Sequence, residues 1–152
     1  FYSGILPVAK NNDGIASIMG HEIAHAVARH SAERASRAIL MDASTYAFER
    51  LVLGRSLTGY SRDLYGQLRQ LGLELPFGRK QETEADYLGL IFMSLADYNV
   101  EESYKVWERM QEASNGKSPS EFWSTHPSPD NRIEKLKGWI PEVSIKYPPI
   151  KI

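Results

Sequence analysis

The sequence predicts a mainly helical domain with one short β element, and three features carry that prediction. Apolar residues recur at helical spacing over residues 15–37, and no proline interrupts them. Two further helices are predicted over residues 79–97 and 100–114, the second of them capped by Asn99. The aromatic and β-branched residues at the start of the chain, 1–9, predict a short strand. An α+β arrangement dominated by helices follows.

The remaining elements are assigned from caps and breakers. Asp13 is the expected N-cap of the first long helix. Residues 38–78 are expected to be helical but interrupted by glycines, and their leucine stripe indicates either a core-facing helix or a lid or partner surface. The stripe consists of Leu64, Leu68, Leu71 and Leu75. The Ser-Pro pair at 128–129 predicts a short final helix to about Lys137, and the tail after Pro141 is expected to be extended.

Length and composition restrict the class of protein. The 152 residues fit one domain, 1–152, with a sizeable core, and the start without Met suggests a piece of a longer protein. A net charge of −1 gives no electrostatic reason to expect nucleic acid. The absence of cysteine excludes disulfides and thiolate metal ligands. No apolar run approaches the roughly 18 residues of a spanning helix, so no membrane span is expected within this chain.

The central motif is the HExxH run His21-Glu22-Ile23-Ala24-His25. Because a helix turns by about 100° per residue, His21 and His25 lie about 40° apart and one turn along, so their imidazoles converge. Glu22 lies one step round the helix, within reach of a water on a shared ion but not placed as a ligand. The pattern predicts a zinc site with Glu22 as general base. An exposed helix that merely carries two histidines is the alternative.

A third ligand has to come from elsewhere, since a catalytic zinc has three protein ligands and one open position. His30 lies nine residues after His21 and is expected to face away from the pair, at the surface. Glu82 is the better candidate, with Asp86 on the same helical face to accept a ring N–H from a ligating histidine. Glu84 is expected to point the opposite way. A solvated acidic face is the alternative interpretation of Glu82 and Asp86.

This donor set predicts the hydrolysis of peptide bonds with one Zn²⁺ per chain. Zinc lowers the pKa of a bound water to about 7. Glu22 then takes the proton of that water and delivers it to the departing amine. The sequence contains neither a GxSxG elbow nor a phosphate-binding glycine pattern that would indicate other chemistry.

Three segments carry a family resemblance: GHEIAHAVARHSAER, RKQETEADYLGL and STHPSPDNRIEKL. In order and spacing they resemble the HtpX-like and CAAX-prenyl-protease-like family of gluzincin zinc metalloendopeptidases, especially its mitochondrial quality-control members and their bacterial periplasmic relatives. The resemblance implies a zincin-like fold in which the HExxH helix and the glutamate helix form the metal site. It implies that His21, His25 and Glu82 bind zinc, that Glu22 is the catalytic base and that Asp86 orients a ligand.

The resemblance also singles out His126 and Arg132. It implies that His126 lies near the active site, where it stabilises the oxyanion or, in a latent form, fills the open metal position. Arg132 is expected to contact the substrate or the transition state. A loop histidine and a surface arginine are the alternatives.

Substrates and location are likewise implied by the resemblance. It implies polypeptide substrates, namely unfolded or misassembled envelope or membrane-associated proteins, and a role in protein quality control. The expected location is the bacterial periplasm or a membrane-attached position, with a lipid anchor; the mitochondrial inner membrane is the alternative. A latent or chaperone-like zinc protein of the same fold is the alternative function, and the glutamate of the HExxH run argues against a purely structural zinc site.

Overall fold

The computed structural model describes residues 5–113 and 131–150 of the chain, and this part is helical throughout apart from turns and short connections. No strand occurs in these two ranges, so the mainly helical fold is confirmed. Two π-helical stretches, Glu49–Leu53 and Gln70–Glu74, join α-helices. The α-helices are α1 (Leu6–Ala9), α2 (Asn12–Val27), α3 (His30–Phe48), α4 (Tyr60–Arg69), α5 (Leu75–Leu95), α6 (Glu102–Ala113) and α7 (Arg132–Lys146).

The beginning of the described chain is a helix where a strand was predicted. Residues 1–4 lie outside the described part, but α1 occupies the rest of the predicted strand. Pro7 stands in the first turn of α1, where its fixed φ suits a helix start. Ala9 is fully buried, and its carbonyl fills the space that a Cβ on Gly14 would need. Packing of α1 against α2 therefore overrides the β propensity of this segment.

The N-cap of α2 is Asn11 rather than the predicted Asp13. The Asn11 side-chain oxygen accepts a hydrogen bond from the Gly14 N–H at 2.7 Å. Asp13 instead accepts a hydrogen bond from the Asn99 N–H at 3.0 Å, in the turn before α6. A carboxylate in the first turn of α2 also suits the positive end of the helix dipole. Asn11 therefore caps α2, and Asp13 links α2 to the turn before α6.

The single long helix predicted over residues 15–37 is two helices. Helix α2 ends at Val27, Arg29 adopts a left-handed conformation with φ 59° and ψ 30°, and α3 begins at His30. A positive φ is uncommon at a residue other than glycine. Neither glycine nor proline marks this turn in the sequence, so apolar periodicity alone does not reveal it. Because of this turn, the side chains of α3 do not continue the helical faces of α2.

The core lies where α2, α5, α6 and α7 meet. Helices α2 and α5 approach closely at two glycines: a Cβ on Gly20 would lie 3.1 Å from the carbonyl oxygen of Gly89. A Cβ on Gly89 would in turn lie 3.1 Å from the backbone nitrogen of His21. This crossing fixes the HExxH helix against the glutamate helix. The buried core residues are Ala9, Ile18, Leu90, Ile91, Val106, Trp107, Met110, Leu136 and Val143.

Helices α3 and α4 form a helical arm between α2 and α5, and the leucine stripe of this arm does not face the core. Leu64, Leu68 and Leu71 are 44%, 61% and 65% exposed, so the core-facing interpretation is wrong for them. The Arg69 guanidinium contacts the Asp42 carboxylate at 3.0 Å and thereby ties α4 to α3. The expected glycine interruption is present at Gly54, which has a φ of 63°.

The boundaries of α5 and α7 also differ from the prediction. Pro76 lies in the first turn of α5, where proline is tolerated, instead of ending the preceding region. Helix α7 continues through Pro141 to Lys146, where an extended tail was predicted; residues 128–130 lie outside the described part. Buried Val143 packs in the core beyond the proline.

In the described ranges, no helix has the length and apolar character needed to cross a membrane.

Candidate metal centre

Helices α2 and α5 bring the three predicted metal ligands together. The Nε2 atom of His21 lies 3.2 Å from Oε2 of Glu82, and Nε2 of His25 lies 3.2 Å from Oε1 of the same carboxylate. The two Nε2 atoms are 3.1 Å apart. One potential ligand atom from each side chain falls within 4.8 Å of the others, and all three side chains are buried. The predicted juxtaposition of the HExxH motif and the glutamate helix is therefore present.

Asp86 occupies the predicted position behind His21. Its Oδ1 lies 3.0 Å from Nδ1 of His21, the ring nitrogen on the side away from Glu82. Asp86 is one helical turn after Glu82, and both carboxylates are buried. A carboxylate at Nδ1 fixes the ring orientation and keeps Nε2 on the side of the Glu82 oxygens.

Arg132, at the start of α7, is a buried part of the same cluster. It is 3% exposed, so the surface-arginine alternative is wrong. Its guanidinium contacts the Asp86 carboxylate and lies 3.5 Å from Oε2 of Glu82. The guanidinium carbon also lies 3.4 Å from the centre of the Trp107 ring. Trp107 was not singled out in the sequence, since a tryptophan at helical spacing in α6 carries no signal beyond burial.

The surroundings of His21 favour a positive charge on its ring. Burial is the largest single influence and lowers the pKa of His21, but hydrogen bonds to Asp86 and Glu82 raise it. The positive charge of Arg132 lowers the pKa as well, and the net pKa lies above the usual 6.5. Carboxylates that hold a proton on this imidazole also attract a metal cation, which competes with the proton for the same nitrogen.

His30 is buried beside His25, and the prediction that it would lie at the surface is wrong. It is 1% exposed, and its Nδ1 lies 2.8 Å from Nδ1 of His25. The extrapolation along one helix failed because the left-handed turn at Arg29 redirects the chain. Glu84, expected to point away from the site, reaches the far side of His30, with Oε2 3.5 Å from Nε2.

Glu22 and His126 are the two predicted catalytic residues. Glu22 is exposed on α2, between the two buried histidines. Its carboxylate is therefore accessible from solvent, as a general base acting on an incoming substrate needs to be. His126 lies outside the described residues, and its expected role stays a prediction.

The donor set suits a zinc ion. Two imidazole nitrogens and one carboxylate are a ligand combination typical of catalytic zinc. Glu82 and Asp86 are both buried, and when the His21 ring is neutral the buried guanidinium of Arg132 balances only one of their charges. A divalent cation between the Nε2 atoms and Glu82 would compensate the remaining negative charge.

Together, the HExxH helix and the glutamate helix define a gluzincin-type metallopeptidase fold. The sequence profile of peptidase family M48 matches residues 1–140, so the chain belongs to peptidase family M48. This confirms the resemblance found in the three sequence motifs.

The names of similar proteins are those of peptidases, in agreement with this family. A Schizosaccharomyces pombe protein named mitochondrial metalloendopeptidase OMA1 is 45% identical over 151 residues, which are 95% of this chain and 42% of that protein. The Saccharomyces cerevisiae protein of the same name is 42% identical over 151 residues, with 96% and 42% covered. A Vibrio cholerae protein, named as a candidate beta-barrel assembly-enhancing protease, is 26% identical over 156 residues, with 99% and 31% covered. The chain thus spans less than half the length of these relatives. No solved structure matches the chain.

Proposed function

We propose that this chain is the catalytic domain of a zinc metalloendopeptidase, with one Zn²⁺ held by His21, His25 and Glu82. The observation that carries the proposal is the convergence of three buried donors from two helices. Both Nε2 atoms lie 3.2 Å from an oxygen of Glu82. Family membership supports the same assignment, since relatives are named metalloendopeptidases.

The side chains around the donors have distinct roles in this proposal. A bound zinc ion supplies Lewis acidity, which acidifies water and polarises a peptide carbonyl. Glu22 accepts the proton of the attacking water and transfers it to the leaving amine. Asp86 holds His21 in the orientation that presents Nε2, and Arg132 compensates the charge of Asp86 at the same carboxylate oxygen that His21 contacts.

Burial gives Arg132 a structural role in this proposal. Its guanidinium is enclosed between the carboxylates and the Trp107 ring, so we assign it to charge compensation rather than to direct substrate contact. His126 is retained as the proposed oxyanion-stabilising residue. The latent, chaperone-like alternative is not favoured, because relatives are named peptidases.

Polypeptides are the proposed substrates, in particular unfolded or misassembled membrane-associated proteins. The two relatives at 45% and 42% identity are named as mitochondrial proteins, whereas the bacterial relative is less similar, at 26% identity. We therefore propose the mitochondrial inner membrane, the alternative in the sequence-based expectation, ahead of the bacterial periplasm. Protein quality control at that membrane is the proposed process.

Substitution of the general base tests the proposed reaction. Glu22→Gln keeps the shape of the side chain but removes its basicity, so hydrolysis of a casein substrate should fall by at least about a hundredfold. Zinc content, measured by elemental analysis, should stay near one ion per chain, because Glu22 is not a ligand.

Glu112→Gln is the matched control, since it makes the same change at an exposed position of α6. This control should cleave casein at the wild-type rate. Wild-type cleavage by Glu22→Gln would contradict the mechanism, and a wild-type chain without zinc would contradict the metal site.

A further inference from the structure

His30 is a fully buried histidine that contacts a metal ligand from the side opposite the metal. The left-handed turn at Arg29 places it as the first residue of α3. Its ring lies at 74° to the ring of His25, with 4.8 Å between the ring centres. The backbone carbonyl of His30 accepts a hydrogen bond from the Gln81 side chain of α5 at 3.4 Å, which ties the start of α3 to the glutamate helix.

The contact between the two rings requires one donor and one acceptor. The Nδ1 atoms of His25 and His30 are 2.8 Å apart, a distance at which a single proton is shared. His25 directs its other nitrogen, Nε2, at Oε1 of Glu82, 3.2 Å away. A nitrogen that binds a metal has to present a lone pair, so the proton of a neutral His25 resides on Nδ1. His25 is therefore the donor and His30 the acceptor.

The tautomer of His30 follows from this direction. With Nδ1 accepting, a neutral His30 carries its proton on Nε2. That Nε2 atom lies 3.5 Å from Oε2 of Glu84, whose side chain is 56% exposed. The chain of contacts thus runs from His25 through His30 to a carboxylate at the protein surface. The hydrogen bond of this series is the one between His25 and His30, whereas the contact between His30 and Glu84 is a close approach without hydrogen-bond geometry.

We propose that His30 is a positioning residue for the metal, which acts through the ligand His25. This inference rests on the proposed zinc site. By accepting the Nδ1–H, His30 fixes the ring of His25 and keeps its Nε2 lone pair on the metal side. The two ligating histidines are then held differently: His21 by the negatively charged Asp86 and His25 by a neutral imidazole. An imidazole acceptor orients the ligand without adding a buried negative charge.

A pair of nearly isosteric substitutions separates this role from packing. His30→Leu removes the acceptor, whereas His30→Asn offers a side-chain amide oxygen near the position of Nδ1. Zinc affinity of the whole chain is measured by competition with a chromogenic chelator. His30→Leu should weaken zinc binding by about 10–100-fold, the range found for residues that orient metal ligands. His30→Asn should restore the affinity to within about threefold of wild type.

Two further measurements make the outcome decisive. Thermal unfolding of the metal-free variants checks that both remain folded. Imidazole ¹⁵N NMR of the zinc-loaded wild-type protein should show protons on Nδ1 of His25 and Nε2 of His30. The opposite tautomer of His30, wild-type zinc affinity in His30→Leu, or equal losses in two folded variants would overturn the inference. A wild-type chain that binds no zinc would overturn the proposed function as well, so the two failures are distinguishable.

Discussion

The guanidinium of Arg132 is a buried, permanent positive charge that contacts both Asp86 and Glu82. Burial of two carboxylates is unfavourable unless cations compensate them. Arg132 contributes one positive charge, together with stacking on Trp107 at 3.4 Å. In the metal-free protein, this arginine therefore limits the repulsion within the site.

Substitution of this arginine should weaken the fold itself. Arg132→Met retains the length of the side chain but leaves Asp86 and Glu82 without their compensating charge. The free energy of unfolding of the metal-free protein should fall by about 3–5 kcal/mol in urea titrations. Lys135→Met, on an exposed position of the same helix, is the control and should change it by less than about 0.5 kcal/mol. A loss below about 1 kcal/mol for Arg132→Met would show that the guanidinium is not needed for compensation.

At the scale of elements, the crossing of α2 and α5 determines the geometry of the site. Gly20 immediately precedes His21, and its counterpart Gly89 lies one helical turn beyond Asp86 on α5. Both positions lack room for a Cβ at ordinary distances. The absence of side chains lets the two backbones approach, and this approach brings ligands from separate helices within reach of one ion.

A methyl group at this crossing should separate the two helices. Gly20→Ala places its Cβ 3.1 Å from the Gly89 carbonyl oxygen, so we expect a net destabilisation of about 1–2 kcal/mol despite the better helix propensity of alanine. Zinc affinity should fall in parallel because His21 moves relative to Glu82. Gly138→Ala in α7 meets no atom within 4 Å and should instead stabilise the protein by about 0.5–1 kcal/mol. Equal effects of the two substitutions in urea titrations would refute the tight crossing.

The pairing of side chains within each helix was predictable because it depends on helical spacing, whereas the meeting of the two helices was expected only from the combination of motifs and from the family resemblance. The four-residue separations in His21–His25 and Glu82–Asp86 place each pair on one face whatever the rest of the fold does. The buried position of His30 was not predictable, since it depends on a positive φ at Arg29. Arginine has no preference for that conformation. The passage of α7 through Pro141 likewise depends on tertiary contacts, such as the Ser94 hydroxyl donating to the Tyr147 carbonyl at 2.7 Å.

At the scale of the whole molecule, the metal would join helices that are far apart in the sequence. His25 and Glu82 belong to α2 and α5, and the entire helical arm lies between them. An ion bound only by the folded arrangement stabilises it by mass action. The protein should therefore depend on zinc for part of its stability, and not only for activity.

Zinc should raise the melting temperature of the wild-type chain. At a free zinc concentration of about a thousand times Kd, the expected stabilisation is about 4 kcal/mol. Glu82→Gln weakens the carboxylate ligand and should lose most of this increment, whereas Glu112→Gln should retain it. Differential scanning calorimetry with and without a chelator measures the increment. An equal zinc-induced rise in all three proteins would indicate that the ion binds elsewhere.

Beyond its first turn, the helical arm lies outside the core. Within α3 only His30 is buried, and the described side chains of α4 are exposed or half-buried. The entropy of closing a connection grows slowly with its length, by about 0.6 kcal/mol for each doubling. Residues added to or removed from the arm beyond its first turn would leave the Gly20–Gly89 crossing in place. Changes in the length of this segment should therefore leave the arrangement of His21, His25 and Glu82 in place.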